Sequence, residues 1–506
     1  MALSQLTSYA LVGMEAAAVT VETHLGPGLP AFQVVGLPEA TVREARDRVR
    51  SAICNSGFSF PQQRITVNLA PADLPKHGGR FDLAMALGIL VASRQVPAPE
   101  RASAFLGELA LGGSVRGVQG VIAAALRARQ DQRQLVLASD NAAEAALCND
   151  GEHRQCATLA QACAWLAGHT TLDGIAGACT DTPADESGPC LSQVRGQPLA
   201  RRALEVAAAG GHSMLLCGPP GSGKSMLATR LPGLLPRLNR QQALEVAAIH
   251  SLKAPRDTGQ FWTPPLRQPH HTASPVAMAG GGSQVLPGEI SLAHNGVLFL
   301  DELPEFDRRV LEVLREPLET GRVHLSRAAR QARYPAQFQL VCAMNPCPCG
   351  YFGDPARSCG YQCEKARRYQ GRLSGPLLDR LDMRLDVAPL DARALLGAGA
   401  GEDSATVRER VAKARQQQAE RQGVINARLP RAAFNATVSQ HQAWLVTAMD
   451  RLGLSARALV RLLRVSRTLA DLAGSAGISQ DHLEEALLFR QDGVADEGQS
   501  SFSARR

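Results

Sequence analysis

The stretch Leu215-Leu216-Cys217-Gly218-Pro219-Pro220-Gly221-Ser222-Gly223-Lys224-Ser225 constrains this chain more than any other. An apolar run breaks into Gly218-x4-Gly223-Lys224-Ser225 and then into a helical segment from Met226 to Leu231. That is a P-loop in its required setting of strand, glycine turn and helix. The glycines let backbone N–H groups close around phosphate oxygens, and the helix N-terminus adds partial positive charge. Gly218, Pro219, Pro220, Gly221, Ser222, Gly223, Lys224 and Ser225 are therefore expected to bind ATP. Lys224 reaches the β- and γ-phosphates and Ser225 ligates Mg²⁺.

With 506 residues, the chain is long enough for about three domains. No run approaches the roughly eighteen apolar residues of a membrane span. Residues 1–30 have no basic region before an apolar core, so no signal peptide is expected and the twelve cysteines are read as thiols or metal ligands. A cytoplasmic location and no membrane partner follow as expectations. The net charge of +7 permits a nucleic-acid partner without demonstrating one.

Residues 1–170 read as an α+β unit. Ala16–Glu22 and Ala31–Val35 read as a hairpin around Gly26-Pro27-Gly28, with a helix over 39–56, a strand over 63–70 and a helix over 81–93. Residues 118–129 read as a helix, followed by a strand over 133–138. The motifs Pro75-Lys76-His77-Gly78-Gly79-Arg80-Phe81-Asp82, Gly107 to Gly113 and Gly117 to Gly120 resemble the proteolytic domain of Lon-type proteases. The resemblance implies that fold. Arg80 stands at the serine nucleophile position and Ala124 near the lysine position, so peptidase chemistry is not expected. Residues 171–191, rich in Gly, Thr, Asp and Pro, read as a linker.

Residues 192–395 read as the nucleotide-binding core, a parallel sheet with helices. A second buried strand, Gly296 to Leu300, ends in Asp301-Glu302, the Walker B pattern. Asp301 is expected to hold Mg²⁺ and Glu302 to orient or deprotonate the attacking water. A third strand, 338–344, ends in Asn345. Resemblance to AAA+ ATPases implies that Asn345 is the sensor 1 residue. It also implies that Arg380, in Gly375-Pro376-Leu377-Leu378-Asp379-Arg380, is an arginine finger given to a neighbouring subunit, with Arg372 as a rival. His270 and His271 read as loop or core residues, because sequence neighbours seldom converge on one metal. The run Ala279-Gly280-Gly281-Gly282-Ser283 resembles the pore-facing hairpin of the magnesium-chelatase branch, a candidate DNA-contacting loop.

Cys347, Cys349, Cys359 and Cys363 give C-x-C-x9-C-x3-C. Four thiolates this close can close a tetrahedral Zn²⁺ site. The following segment, with Lys365, Arg367, Arg368, Tyr369 and Arg372, reads as a basic helix that either reads phosphates or is a solvated face. Residues 400–492 read as an all-α lid: a polar, solvent-exposed helix over 404–422, then helices over 441–452, 455–472 and 479–489, with Ser455 and Ser479 as caps. Arg457 matches the sensor 2 arginine of AAA+ lids, which touches the γ-phosphate. Residues 493–506 read as a disordered tail.

The whole order resembles the ComM/YifB family of magnesium-chelatase-like AAA+ ATPases. In that family the second cysteine pair is usually C-x-C; here Cys359 and Cys363 stand further apart. The resemblance implies an ATP-driven homo-hexameric motor acting on single-stranded or branched DNA, a branch-migration helicase of natural transformation and recombination. The alternative is a magnesium-chelatase ATPase subunit that remodels a metal-inserting partner. Such subunits generally lack the Lon-like domain and the cysteine cluster.

Overall fold

The computed structural model describes residues 2–36, 40–148, 152–177, 188–282, 285–327, 330–352, 364–389 and 401–490. The chain is built on two main sheets. The first comprises β1 (Ala2–Val12), β2 (Glu15–Gly26), β3 (Ala31–Val35), β4 (Arg64–Ala70), β5 (Ser103–Leu106), β8 (Gln134–Ala138) and β9 (Arg154–Cys156), in the order β3-β4-β2-β1-β5-β8-β9. A small ribbon of β6 (Glu108–Leu109) and β7 (Val115–Arg116) lies beside it. Strand alternation supplies two apolar faces. Leu6, Val19, Val21, Phe105 and Val136 face the helices Ala40–Asn55 and Asp82–Ala92. Tyr9, Ala104, Leu106, Leu135 and Leu137 face the helix Val121–Gln130.

The expected hairpin between 16–22 and 31–35 is not formed. β2 pairs antiparallel with β1 across Gly13, and with β4 on its other edge. β3 runs parallel to β4 at the sheet margin. Ala2–Val12, unassigned from sequence, is thus one of the longest strands. The chain after β9 also stays with this sheet: Leu172 is buried in its core and Gly174 bridges to Arg154.

The second sheet is wholly parallel. It contains β10 (Met214–Cys217), β11 (Leu266–Arg267), β14 (Val297–Leu300), β17 (Gln339–Met344) and β18 (Met383–Asp386), in the order β11-β14-β17-β10-β18. Two antiparallel hairpins rise from it: β12 (Gly280–Gly281) with β13 (Leu286–Pro287), and β15 (Arg322–Arg327) with β16 (Arg330–Pro335). The helix Arg240–Ser251 packs away from this sheet. Its Ala243, Val246 and Ala247 join Val121, Ile122 and Leu147 of the first unit, and the Gly120 amide donates to the Ser251 carbonyl at 2.9 Å.

The C-terminal residues are helical, with Ser455 and Ser479 capping the helices Ala456–Leu472 and Gln480–Leu488 as expected. The helix Ser404–Gln422 is not a solvated face. Val407, Val411 and Ala414 enter the core beside the helix Pro198–Gly210. Arg410 pairs with Glu205 at 2.6 Å, Arg415 donates to the Ala208 carbonyl at 2.9 Å, and Arg421 grips Asp471 at 2.6 Å. Its arginines weld this helix to the core. Among the described residues no helix is long and apolar enough to cross a membrane.

Candidate nucleotide-binding site

Parallel strands converge their C-terminal ends on one edge of the sheet, where open α/β folds place ligands. β10 ends at the P-loop, β14 ends at Asp301, and β17, hydrogen-bonded between them, ends at Asn345. Gly218 is required by close approach: a Cβ there would lie 2.3 Å from the Val387 carbonyl oxygen. Gly223 caps the helix Lys224–Leu234 with φ of +90°, a conformation open to glycine.

The structure brings Lys224, Ser225, Asp301 and Asn345 together. Lys224 is buried; its Nζ donates to the carbonyls of Gly218 at 2.7 Å and Pro219 at 2.8 Å, and to Asn345 Oδ1 at 3.2 Å. Desolvation lowers its pKa from the ordinary lysine value. The ammonium is therefore held on exchangeable carbonyls, where an incoming phosphate offers a charged partner instead. Ser225 Oγ donates to Asp301 Oδ2 at 2.6 Å. A hydroxyl and a carboxylate this close fit one Mg²⁺, bound directly by the first and through water by the second. Asp301 Oδ1 also accepts the Glu302 amide at 3.0 Å. Glu302 itself has φ of +54°, a sparsely populated region for a residue with a Cβ.

A cavity of about 240 Å³ opens beside the P-loop, lined by Val194, Gln197, Gly223, Met226 and Leu227. Sequence reading missed its outer wall. The signal available was the apolar Leu191 and Val194 before Gly196 and Pro198, immediately preceding the helix that leads to β10.

The cysteine loop is seated on this site. A Cβ at Gly350 would stand 2.4 Å from Pro220 Cδ, and Cys347 and Cys349 Sγ are 2.9 Å apart. Cys359 and Cys363 lie outside the described residues, and among those described no cluster of three or more metal-ligating side chains is assembled. Burial, with Asp386 nearby, pushes the Cys217 thiol up to about 12. Tyr369 is buried beneath the Walker B turn rather than presented on a basic face, and burial with Glu305 and Glu302 nearby pushes its hydroxyl up to about 12. Arg372 reaches the Pro304 carbonyl and Glu305, each at 3.2 Å, so it belongs to the Walker B turn of its own chain.

Arg380 and Arg457 are not brought to the P-loop. Arg380 is ion-paired with Glu319 and donates to the Pro376 carbonyl at 2.6 Å. It lies two residues before Asp382, whose amide donates to the Ser213 carbonyl at the opening end of β10. That is the edge of the sheet opposite the P-loop. Arg457 is exposed in the first turn of the helix Ala456–Leu472. One turn later, Arg461 is ion-paired with Asp382 at 2.5 Å, which fixes this helix start at the same opposite edge. Arg457 therefore stands away from the P-loop of its own chain: β10 alone separates the two edges by about 13 Å.

His271, read from the sequence as a loop or core residue, reaches the site. It lies 3.5 Å from Glu302 through its Nδ1, and its ring stacks on His270 at a centroid distance of 4.1 Å. At the peptidase position of the first unit, Arg80 is buried. Its guanidinium donates to the Gln119 carbonyl at 2.8 Å, where the helix carrying Ala124 begins.

Residues 190–395 match the family described as magnesium chelatase, subunit ChlI. Residues 21–141 match subunit ChlI of Mg-chelatase, and residues 401–490 match the ChlI C-terminal family. The chain is 49% identical to the uncharacterized protein YifB of Escherichia coli over 498 residues, covering 97% of each. It is 48% identical to the competence protein ComM of Haemophilus influenzae over 500 residues, covering 97% of this chain and 98% of that protein. The 38 kDa magnesium-chelatase subunit of Rhodobacter capsulatus is 24% identical over 357 residues, 62% of this chain. A P-loop, a hydroxyl–carboxylate pair that fits Mg²⁺ and a polar strand tip on a parallel sheet, in a chain matched over nearly its whole length by the YifB and ComM relatives, place it in the ComM/YifB family of magnesium-chelatase-like AAA+ ATPases.

Proposed function

We propose that this chain is a Mg·ATP-hydrolysing ring motor, homo-hexameric and cytoplasmic, that moves on single-stranded or branched DNA and drives branch migration during uptake and recombination. Lys224, Ser225 and Asp301 hold Mg·ATP, Glu302 activates water and Asn345 senses the γ-phosphate. Arg380 and Arg457, at the sheet edge opposite the P-loop, are offered to the neighbouring copy. The cavity at Val194, Gln197 and Met226 takes the base. A structural zinc ion on Cys347, Cys349, Cys359 and Cys363 braces the loop against Pro220.

The observation that carries the DNA reading is the ribbon of β15 and β16. Between 322 and 335 it holds Arg322, His324, Arg327, Arg330 and Arg333 and no acidic residue. Val323 and Tyr334 pin its base in the core, while His324 and Arg333 form a cross-strand pair on the opposite face. Tyr334 also donates to the Val285 carbonyl at 2.8 Å, which fastens the ribbon to the glycine hairpin of β12 and β13. A basic ribbon suits a phosphate backbone. The name of the Haemophilus relative, a competence protein, favours the same reading. The chelatase alternative draws on a relative matched over a smaller share of this chain.

The test is ATP turnover with and without branched or single-stranded DNA, repeated with Arg322→Glu/Arg333→Glu. Stimulation in the wild type, lost in the variant together with low-salt DNA retention, is expected. Neither stimulation nor retention by the wild type would remove the motor reading.

A further inference from the structure

Asp382 is buried where β18 begins, at the edge of the sheet opposite the P-loop. Each of its polar groups is engaged. Its amide donates to the Ser213 carbonyl at 3.0 Å, and its own carbonyl accepts from Arg490 at 3.1 Å. Oδ1 accepts from Arg461 at 2.5 Å. Oδ2 accepts the Ser213 amide at 3.3 Å, with His212 Nδ1 3.4 Å away. The other nitrogen of His212 lies 2.7 Å from the Thr468 hydroxyl. Arg461 and Thr468 stand two turns apart on one face of the helix Ala456–Leu472. The start of β10 and the entry to β18 therefore hold that helix at two points, through one carboxylate and one imidazole.

Both arginines at this edge take their origin from the same group. Arg380 precedes Asp382 by two residues, which places its Cα within about 7 Å. Arg457 precedes Arg461 by four residues, on the same helix face and about 6 Å along the axis. Arg457 is exposed, and Arg380 rests on Glu319, an exposed carboxylate that a phosphate can replace. Stability alone does not call for a buried charge at such a junction, because well-packed apolar residues of similar volume often serve as well or better. A fully paired carboxylate adds a single register between the elements it joins.

We infer that Asp382 is a positioning residue that registers Arg380 and Arg457 against each other, so that the two enter the phosphate site of the neighbouring copy together. The inference rests on the reading that these arginines act on the next subunit.

The test uses full-length Asp382→Asn and Arg461→Gln, with Arg380→Ala and Lys224→Ala as references. Arg461→Gln breaks the same link from a position that is partly exposed, and it decides the matter alone if Asp382→Asn does not fold. Each variant should bind a fluorescent ATP analogue like the wild type. Each should lose kcat about ten- to a hundredfold with little change in KM, the loss that a displacement of about 1 Å produces. Mixed with Lys224→Ala, either variant should regain turnover at intermediate ratios. Mixed with Arg380→Ala, it should stay inactive, because both proteins lack the same half of the site. A merely destabilised subunit would not sort in this way. Recovery with Arg380→Ala, no recovery with Lys224→Ala, or a folded Arg461→Gln protein with wild-type kcat overturns the inference. Failure of Arg380→Ala and Lys224→Ala to restore each other overturns instead the reading that the arginines act on the next subunit, and the inference with it.

Discussion

Gly350→Ala probes how firmly the cysteine loop is seated on the phosphate loop. Two costs are separable. Gly350 has φ of +83°, and an alanine there costs about 1–2 kcal/mol. Its Cβ would also stand 2.4 Å from Pro220 Cδ and 2.7 Å from Cγ, in a ring fused to the P-loop backbone. Overpacking of that kind costs about 1–3 kcal/mol. Gly423→Ala supplies the control, because φ is +71° there with no atom within 4 Å of the added carbon. Gly423→Ala should therefore show only the backbone cost. Thermal unfolding should place Gly350→Ala below it by about 2–4 °C for each kcal/mol of overpacking. Displacement of Pro220 relieves part of that strain by deforming the phosphate cradle. Every ~1.4 kcal/mol so transferred weakens binding about tenfold, read by titration with a fluorescent ATP analogue. A Gly350→Ala protein that melts with Gly423→Ala and binds nucleotide like the wild type refutes the reasoning.

Asp382 ties the opposite edge of the sheet to the helix Ala456–Leu472. Its burial raises its pKa, but His212 and Arg461 outweigh that and hold the carboxyl down at about 2, against 3.8 unperturbed. The native state therefore binds the proton less tightly than the unfolded chain. This contribution, about 2 kcal/mol, is present above about pH 4 and lost as pH falls from about 4 to 2. Asp382→Asn should lose it at neutral pH and show a flatter acid limb in denaturant unfolding against pH. Elemental analysis of protein purified without chelator should find about one zinc per chain, and Cys347→Ser/Cys349→Ser should remove it; absence of zinc from the wild type removes the metal site.

Local patterns were legible. The P-loop, the Walker B strand and the strand ending at Asn345 are each one buried strand with its turn, so the signal lies within about a dozen residues. Helix caps at Ser455 and Ser479 are equally local. What depended on register was not. β3 looks like the partner of β2, because the turn residues between them are the visible feature. The actual partner, β4, arrives after an intervening helix and pairs with both. The helix Ser404–Gln422 looks solvated because Arg408, Arg410, Lys413, Arg415 and Arg421 give it a strongly basic composition. Arg410 and Arg415 find their acceptors, a carboxylate and a carbonyl, on the helix Pro198–Gly210, far earlier in the chain. The contact of His271 with Glu302 spans two neighbouring strands, and no spacing rule reports it. Arg457 fitted a motif, yet the anchoring of Arg461 on Asp382 sets that helix start on the far edge of the sheet.

The most direct test of a nucleotide site divided between copies is subunit mixing. Arg380→Ala and Lys224→Ala proteins, each inactive alone, are combined in varying ratio and ATP turnover is followed. If one copy supplies the P-loop and the next supplies the arginine, mixed assemblies contain intact sites and activity rises to a maximum at intermediate ratio. Activity that stays at the level of the separate variants at every ratio contradicts a shared site and returns the role to Arg372 within the same chain.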